Sequence, residues 1–105
     1  MATGRLGASA ISSGTDTTVY TCPASTYSVV TVSFCNRSNL AAALRLAVSA
    51  ADAPTDAEWV EFDTEILAKG VLERTGLVLD AGKRIVAYSS GDATSVVVMG
   101  IETSA

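Results

Sequence analysis

The segment YSVVTVSFC, residues 27–35, constrains the fold more than any other part of the chain, because its apolar and small polar residues alternate. In an extended backbone, Val30, Val32 and Phe34 would lie on one face and the residues between them on the other. A period of two is characteristic of a β-strand, whereas a helix repeats every ~3.6 residues. We therefore predict a β-strand with one buried face here.

Other short segments of this kind recur along the chain, and clusters of turn-forming residues separate them. They cover residues 17–22, 40–50, 59–63, 71–79, 85–88 and 95–102. Residues 40–50 also have the Ala and Leu content of a helix, but their alternation and the neighbouring strands favour a strand. Residues 55–58 are predicted to form a single helical turn with Thr55 as its cap. Seven or eight short strands indicate a β-sandwich, a jelly roll or a small barrel.

The length of 105 residues suits one domain. We expect a single antiparallel β-sandwich or jelly-roll-like domain over residues 17–105, and an extended N-terminal arm or flexible segment over residues 1–16. Leu6 and Ile11 would give such an arm apolar anchors on a neighbouring subunit. The same segment lacks the apolar centre of a signal peptide, so no secretion signal is expected.

The charge balance argues against two classes of partner. The chain has 11 acidic and 7 basic residues, for a net charge of −4, and its bases are scattered. Nucleic-acid binding requires a basic face that neutralises phosphates, and anionic membrane surfaces attract clustered bases in the same way. No apolar segment approaches the ~20 residues that span a bilayer. We therefore expect neither a nucleic-acid partner nor a membrane partner.

The residues that usually carry catalysis or bind metals are largely missing. The chain contains no histidine, which removes the usual base of Ser-His-Asp and Cys-His catalysis. It has no CxxC zinc spacing and no phosphate-binding glycine loop. The acidic residues between 52 and 63 favour a solvated face over a calcium site or a catalytic carboxylate pair. We expect no catalytic residue, no cofactor and no metal, and we expect Cys22 and Cys35 to be free thiols.

Residues 71–90, VLERTGLVLDAGKRIVAYSS, are predicted to form a hairpin of two strands that turns at residues 80–82. Glu73 and Arg74 would point to opposite faces of the first strand, so one of them needs a partner unless both faces are partly exposed. A subunit contact could supply that partner, since Arg forms bidentate ion pairs.

Trp59, the only tryptophan, suits core packing, a protein interface or stacking on a sugar. Together with the apolar anchors and the charged pair, it completes a set of candidate interface residues. The set is Leu6, Ile11, Trp59, Glu73 and Arg74.

Five motifs follow one another between residues 4 and 102. They are GRLGA, TTVYTCPA, SFCNRS, EWVEFD and GVLERTGLVLDAGKRIVAYSS. In this order they resemble a family of small virion structural proteins from tailed bacteriophages of cyanobacteria and marine bacteria. The motifs are structural, with no catalytic signature among them. The chain departs from the family pattern at Cys22, where Val is usual, and at residues 25–27, where a Gly-Lys turn is common.

The resemblance implies an all-β, non-enzymatic component of the virion, assembled in the cytoplasm of the host bacterium. It favours a capsid decoration or cement protein that binds the outer capsid surface as a homo-oligomer, with a trimer favoured. The implied partners are further copies of the chain and other virion proteins, chiefly the major capsid protein. The alternative is a tail, baseplate or fibre component, or a receptor- or glycan-binding adhesin module, and only this alternative implies a glycan partner.

Overall fold

The computed structural model describes residues 2–105, and all of the regular structure there except one short turn is β-strand. The strands are β1 (Thr3–Ile11), β2 (Thr17–Thr21), β3 (Thr26–Asn36), β4 (Ala42–Ser49), β5 (Trp59–Ile66), β6 (Val71–Leu79), β7 (Arg84–Ser89) and β8 (Thr94–Ser104). A 3-10 turn, Asp56–Glu58, precedes β5 as predicted. Within the described residues, no helix has the length and apolar character needed to cross a bilayer. The predicted all-β class is confirmed.

The strands form two antiparallel sheets of four, which enclose one core between them. Sheet A has the order β1-β8-β3-β6, and sheet B has the order β2-β7-β4-β5. Four of the ladders join β1 to β8, β2 to β7, β3 to β6, and β4 to β5. The pairing is therefore nested, as if one long hairpin with its turn between β4 and β5 had been rolled up.

The core consists of the inward-facing side chains of both sheets, and it is mainly aliphatic. Val30, Val32 and Phe34 share the buried face of β3, as their alternation predicts. Leu44 and Leu46 of β4 contribute from the opposite sheet and are fully buried. Burying one such side chain stabilises the fold by about 1.5–3 kcal/mol, so the packing of the two sheets depends on a small number of aliphatic residues.

The predicted hairpin over residues 71–90 is wrong, because β6 and β7 lie in different sheets. The turn itself forms where predicted, with Gly82 in the left-handed region at a φ of 82°. Its backbone binds the end of β2: Gly82 N–H donates to the Cys22 carbonyl at 2.9 Å, and Cys22 N–H donates to the Lys83 carbonyl at 2.8 Å. These bonds lead the chain out of sheet A and into sheet B, where β7 lies beside β2.

The segment predicted as an N-terminal arm contains β1, which pairs with β8 at the edge of sheet A. The sheets therefore begin at Thr3 and not at residue 17, because pairing with β8 satisfies one side of the β1 backbone. Ile11 is buried in the core, and Leu6 packs against it. Ile11 is thus part of the core and Leu6 is partly buried beside it, and an interface role for either residue stays a prediction.

Candidate interaction surfaces

The outward side of sheet A is nearly free of charge, and we call it the neutral face. Residue pairing across the ladders places alternate residues of all four strands on it. They are Thr3, Arg5, Ala8 and Ala10 of β1; Ser95, Val97, Met99, Ile101 and Thr103 of β8; Tyr27, Val29, Thr31, Ser33 and Cys35 of β3; and Val71, Glu73 and Val78 of β6. The solvated face of an antiparallel sheet usually carries polar side chains, so this composition is unusual.

An apolar ridge crosses the neutral face. Val78, Val29 and Ile101 are direct neighbours across β6, β3 and β8. Their exposed fractions are 64%, 37% and 48%, so all three meet solvent in the single chain. Contiguous apolar side chains on a protein surface often mark an interaction site. The ridge is the main reason to treat the neutral face as a binding surface.

Among the strand residues of the neutral face, the two charged side chains lie at opposite edges, Arg5 on β1 and Glu73 on β6. At the end of the face near Cys35, Arg37 from the loop after β3 donates from its Nε to the Ser95 hydroxyl at 2.8 Å. Arg5 lies beside Met99, which pairs with Thr31, whereas Glu73 lies beside Ser33. The two charges therefore occupy adjacent rows, about 7 Å apart along the strands. The ion pairs formed within residues 2–105 include neither of them.

The outward side of sheet B differs, because residues 50–58 run along part of it. Ala47 and Val86 point outward in the ladders and yet are fully buried. The segment is tied to the sheet by Thr18, whose hydroxyl donates to the Asp52 carboxylate at 2.6 Å. This part of sheet B is thus covered by the chain itself.

Glu58 holds that covering segment in place. Its carboxylate accepts hydrogen bonds from the backbone N–H of Thr55 at 2.8 Å and of Ala50 at 2.9 Å. The Ser49 hydroxyl donates a third bond at 3.1 Å. The backbone bonds from Thr55 and Ala50 lower the pKa of Glu58 below its usual 4.5, because they stabilise the charged form.

We expect the protein to lose stability in acid, partly through Glu58. A carboxylate with a lowered pKa stabilises the fold above its unfolded pKa of 4.5, and this contribution disappears as the pH falls through the lowered value. Urea unfolding measured between about pH 7 and about pH 3 should show the loss, and Glu58→Gln should reduce it. Glu65→Gln, which removes an exposed carboxylate of β5, is the control. Identical pH profiles for both variants would contradict this role of Glu58.

Beyond the covering segment, sheet B carries a group that we call the Arg45 cluster: Arg45, Trp59, Phe62, Asp63 and Tyr88. Arg45 Cζ lies 4.1 Å from the ring centroid of Phe62 and 4.4 Å from that of Tyr88. Arg45 Nε donates to Asp63 Oδ1 at 2.6 Å, and this bond raises the pKa of Arg45. Trp59 meets Phe62 edge to face, with centroids 5.3 Å apart. Trp, Tyr and Arg are the residues most enriched at energetically dominant contacts in protein interfaces.

A β-bulge builds this cluster. One extra residue of β5 lies opposite Arg45, so both Phe62 and Asp63 reach it. Asp63 has a left-handed φ of 53°, a conformation that Asp tolerates better than most residues. Sequence reasoning included Trp59 but missed Arg45, Phe62 and Tyr88, because a bulge and a ladder register leave no local signal in the sequence.

Arg74 has its partner within its own chain. Its Nη1 lies 2.8 Å from Glu61 Oε2, and this pair joins the edge strand of sheet A to the edge strand of sheet B. Such partly exposed ion pairs contribute about 0–1 kcal/mol to the free energy of unfolding. The pair therefore holds β6 and β5 beside each other but adds little to stability. Glu73 points the other way, onto the neutral face. Interface roles for Trp59, Glu73 and Arg74 stay predictions.

Little in the described structure points to a reaction centre. Residues 2–105 hold no group of three or more His, Cys, Asp or Glu side chains that could share a metal ion, and no pocket. Cys22 and Cys35 are free thiols, as predicted, and Cys35 is half-buried on the neutral face. The absence of catalysis, cofactor and metal stays a prediction.

By its fold, the chain is an all-β protein built from two antiparallel sheets of four strands. No family model, no curated protein and no solved structure matches it.

Proposed function

We propose that this protein is a non-enzymatic structural component of a bacteriophage virion, and that it decorates the outer surface of the capsid as a homo-oligomer. The observation that carries the proposal is the presence of two surfaces of binding type on opposite sides of one sandwich. The neutral face is apolar at its ridge, and the Arg45 cluster presents aromatic rings around a cation. One surface is thus available for a further copy while the other contacts the coat.

The strand order adds support at the level of the fold. The nested sheet orders β1-β8-β3-β6 and β2-β7-β4-β5 support our proposal that the fold is a jelly roll. Jelly rolls are found in viral capsid proteins and in lectins. A fold alone does not define a function, so the strand order supports the proposal less strongly than the two surfaces do.

The proposed mechanism is mechanical. Decoration adds contacts between neighbouring coat subunits, and those contacts resist the internal pressure of packaged DNA. We assign the coat-binding role to the Arg45 cluster, because its Trp, Tyr and Arg side chains suit a desolvated protein contact. The bulge holds Phe62 and Asp63 against Arg45, so the surface is organised before binding.

The test is a count of copies on purified virions and on heads stripped of tails. Hundreds of copies that stay on tailless heads would support decoration, whereas a few dozen copies that leave with the tails would overturn it. Rebinding to heads that lack the protein then tests the surface. Arg45→Ala should weaken rebinding, and Arg37→Ala, an exposed arginine outside the cluster, should not.

A second candidate is a tail, baseplate or fibre component, or an adhesin module that binds a receptor or glycan. The exposed ring of Phe62 beside Trp59 favours it, since aromatic rings stack on sugars. Binding to host-surface polysaccharide that is lost in Trp59→Ala, together with departure from the particle with the tails, would establish this candidate instead.

A further inference from the structure

We propose that two copies of this chain pair by packing one neutral face against the other, about a two-fold axis parallel to the strands, so that Arg5 of each copy meets Glu73 of the other. The inference deepens the homo-oligomer part of the proposed function and rests on it. A second copy is named as the occupant because of the side-chain lengths, the charges and the area of the neutral face.

The side chains of the neutral face are short enough for two sheets to approach closely. Packed sheets lie about 10 Å apart, a spacing that small and branched side chains fill and long charged side chains prevent. Apart from Arg5 and Glu73, the face carries mainly Ala, Ser, Thr and Val. In the pair, β3 of each copy lies over β8 of the other and β6 lies over β1. Val29 would then cover Ile101 of the second copy and Val78 would lie over its Thr3, so the ridge residues lose their contact with water.

The charges decide the direction of the axis. An axis parallel to the strands places β1 of one copy over β6 of the other, because these are the two edges of sheet A. Arg5 and Glu73 then meet twice, once on each side, with an offset of about 7 Å that the long arginine side chain can span. An axis perpendicular to the strands would place β1 over β1 and β6 over β6, and like charges across an interface are unfavourable.

The area of the face is sufficient for such a pair. Four strands at about 4.8 Å spacing and nine residues at about 3.4 Å give a face of about 600 Å². Two copies would then bury about 1200 Å², at the lower end of the range for stable protein interfaces.

A pair formed in this way is isologous, since the same surface is used by both copies. The trimer implied by the resemblance to decoration proteins would need a contact between two different surfaces. The neutral face is complementary to itself, with opposite charges at its two edges, and this favours two copies over three.

The first test is the molar mass of the purified protein as a function of concentration. Twice the chain mass of 10.7 kDa should appear at concentrations on the order of 100 μM. Val78→Lys places a charge on the ridge at an exposed position, and it should raise the dimer dissociation constant at least about tenfold. Leu67→Lys, at an equally exposed position outside the face, should leave it unchanged. A monomer throughout, or a trimer, would overturn the inference.

The second test exchanges the charges. Arg5→Glu alone should weaken the pair about tenfold, and Glu73→Arg alone should do the same. The double exchange should restore the wild-type dissociation constant, because the two opposite-charge contacts are re-formed. Unaltered pairing in both single variants would show that the axis is not the one proposed.

Cys35 provides a probe of the same face. It lies on the neutral face, whereas Cys22 is buried at 1% exposure. Its reaction with a maleimide should slow as protein concentration rises in the wild type, and should stay fast in Val78→Lys. A rate that does not depend on concentration would contradict burial of the face.

The pairing and the proposed function can fail separately. Pairing is measured on the purified protein, and decoration is measured on particles. A chain that stays on tailless heads but is monomeric in solution, with Cys35 reactive at every concentration, would retain the function and lose the pair. A dimer that leaves with the tails would retain the pair and lose the decoration role.

Discussion

Replacing Leu46 with alanine should lower the free energy of unfolding by about 2–5 kcal/mol, a large part of the total stability of a domain this small. Leu46 lies on β4, an interior strand of sheet B, and its side chain is 0% exposed. Its removal takes away buried apolar contacts and leaves a cavity that the two sheets cannot easily close. Urea denaturation followed by circular dichroism gives the measurement.

Leu40→Ala is the matched control. It deletes the same atoms at a position that is 76% exposed, in the loop before β4. Surface changes of this kind usually alter stability by less than about 0.5 kcal/mol. If both variants were destabilised equally, the core would not lie where the two sheets meet.

Replacing Gly100 with alanine should lower the free energy of unfolding by about 1–3 kcal/mol or prevent folding. Gly100 lies in β8, between β1 and β3, and a Cβ atom there would overlap the backbone carbonyl of Val29. Backbone cannot move aside as a flexible side chain does, so sheet A would have to open. Thermal and urea unfolding should both show the loss.

Gly4→Ala is the comparison for that change. Gly4 pairs with Gly100 in the ladder, and a Cβ atom there would meet no atom within 4 Å. It has a positive φ, so alanine should cost backbone strain alone and have the smaller effect. If Gly4→Ala lowered the free energy of unfolding as much as Gly100→Ala, glycine would be required for its backbone conformation and not to avoid overlap of a Cβ atom with the Val29 carbonyl.

The strands could be predicted from the sequence because alternation is a local property. The burial of Val30, Val32 and Phe34 follows directly from their spacing. The assignment of strands to sheets is not local, since β1 pairs with a strand more than eighty residues further along the chain. The prediction of a hairpin over residues 71–90 was wrong for this reason. A tight turn after β6 allows β7 either to pair with β6 or to cross to the second sheet, and the local sequence is the same in both cases.

The candidate surfaces were predictable only in part, for the same physical reason. The sequence shows that no charge interrupts residues 27–35, but the breadth of the neutral face depends on which strands lie beside β3. Arg74 was expected to need a partner, yet Glu61 could not be named before the edges of the two sheets were known to meet. The Arg45 cluster requires the bulge at Phe62 and Asp63, which depends on ladder register.

The nested order of the strands also fixes when the molecule can assemble during synthesis. β8 is made last of the eight strands, yet it occupies an interior position of sheet A, between β1 and β3. While the ribosome is still translating, β1 has no neighbour, and only the pairing of β4 with β5 joins strands made one after the other. Sheet B and the β3–β6 ladder contain no residue of β8 and can form before it is made, whereas β1 cannot join its sheet until β8 arrives, so sheet A is completed last.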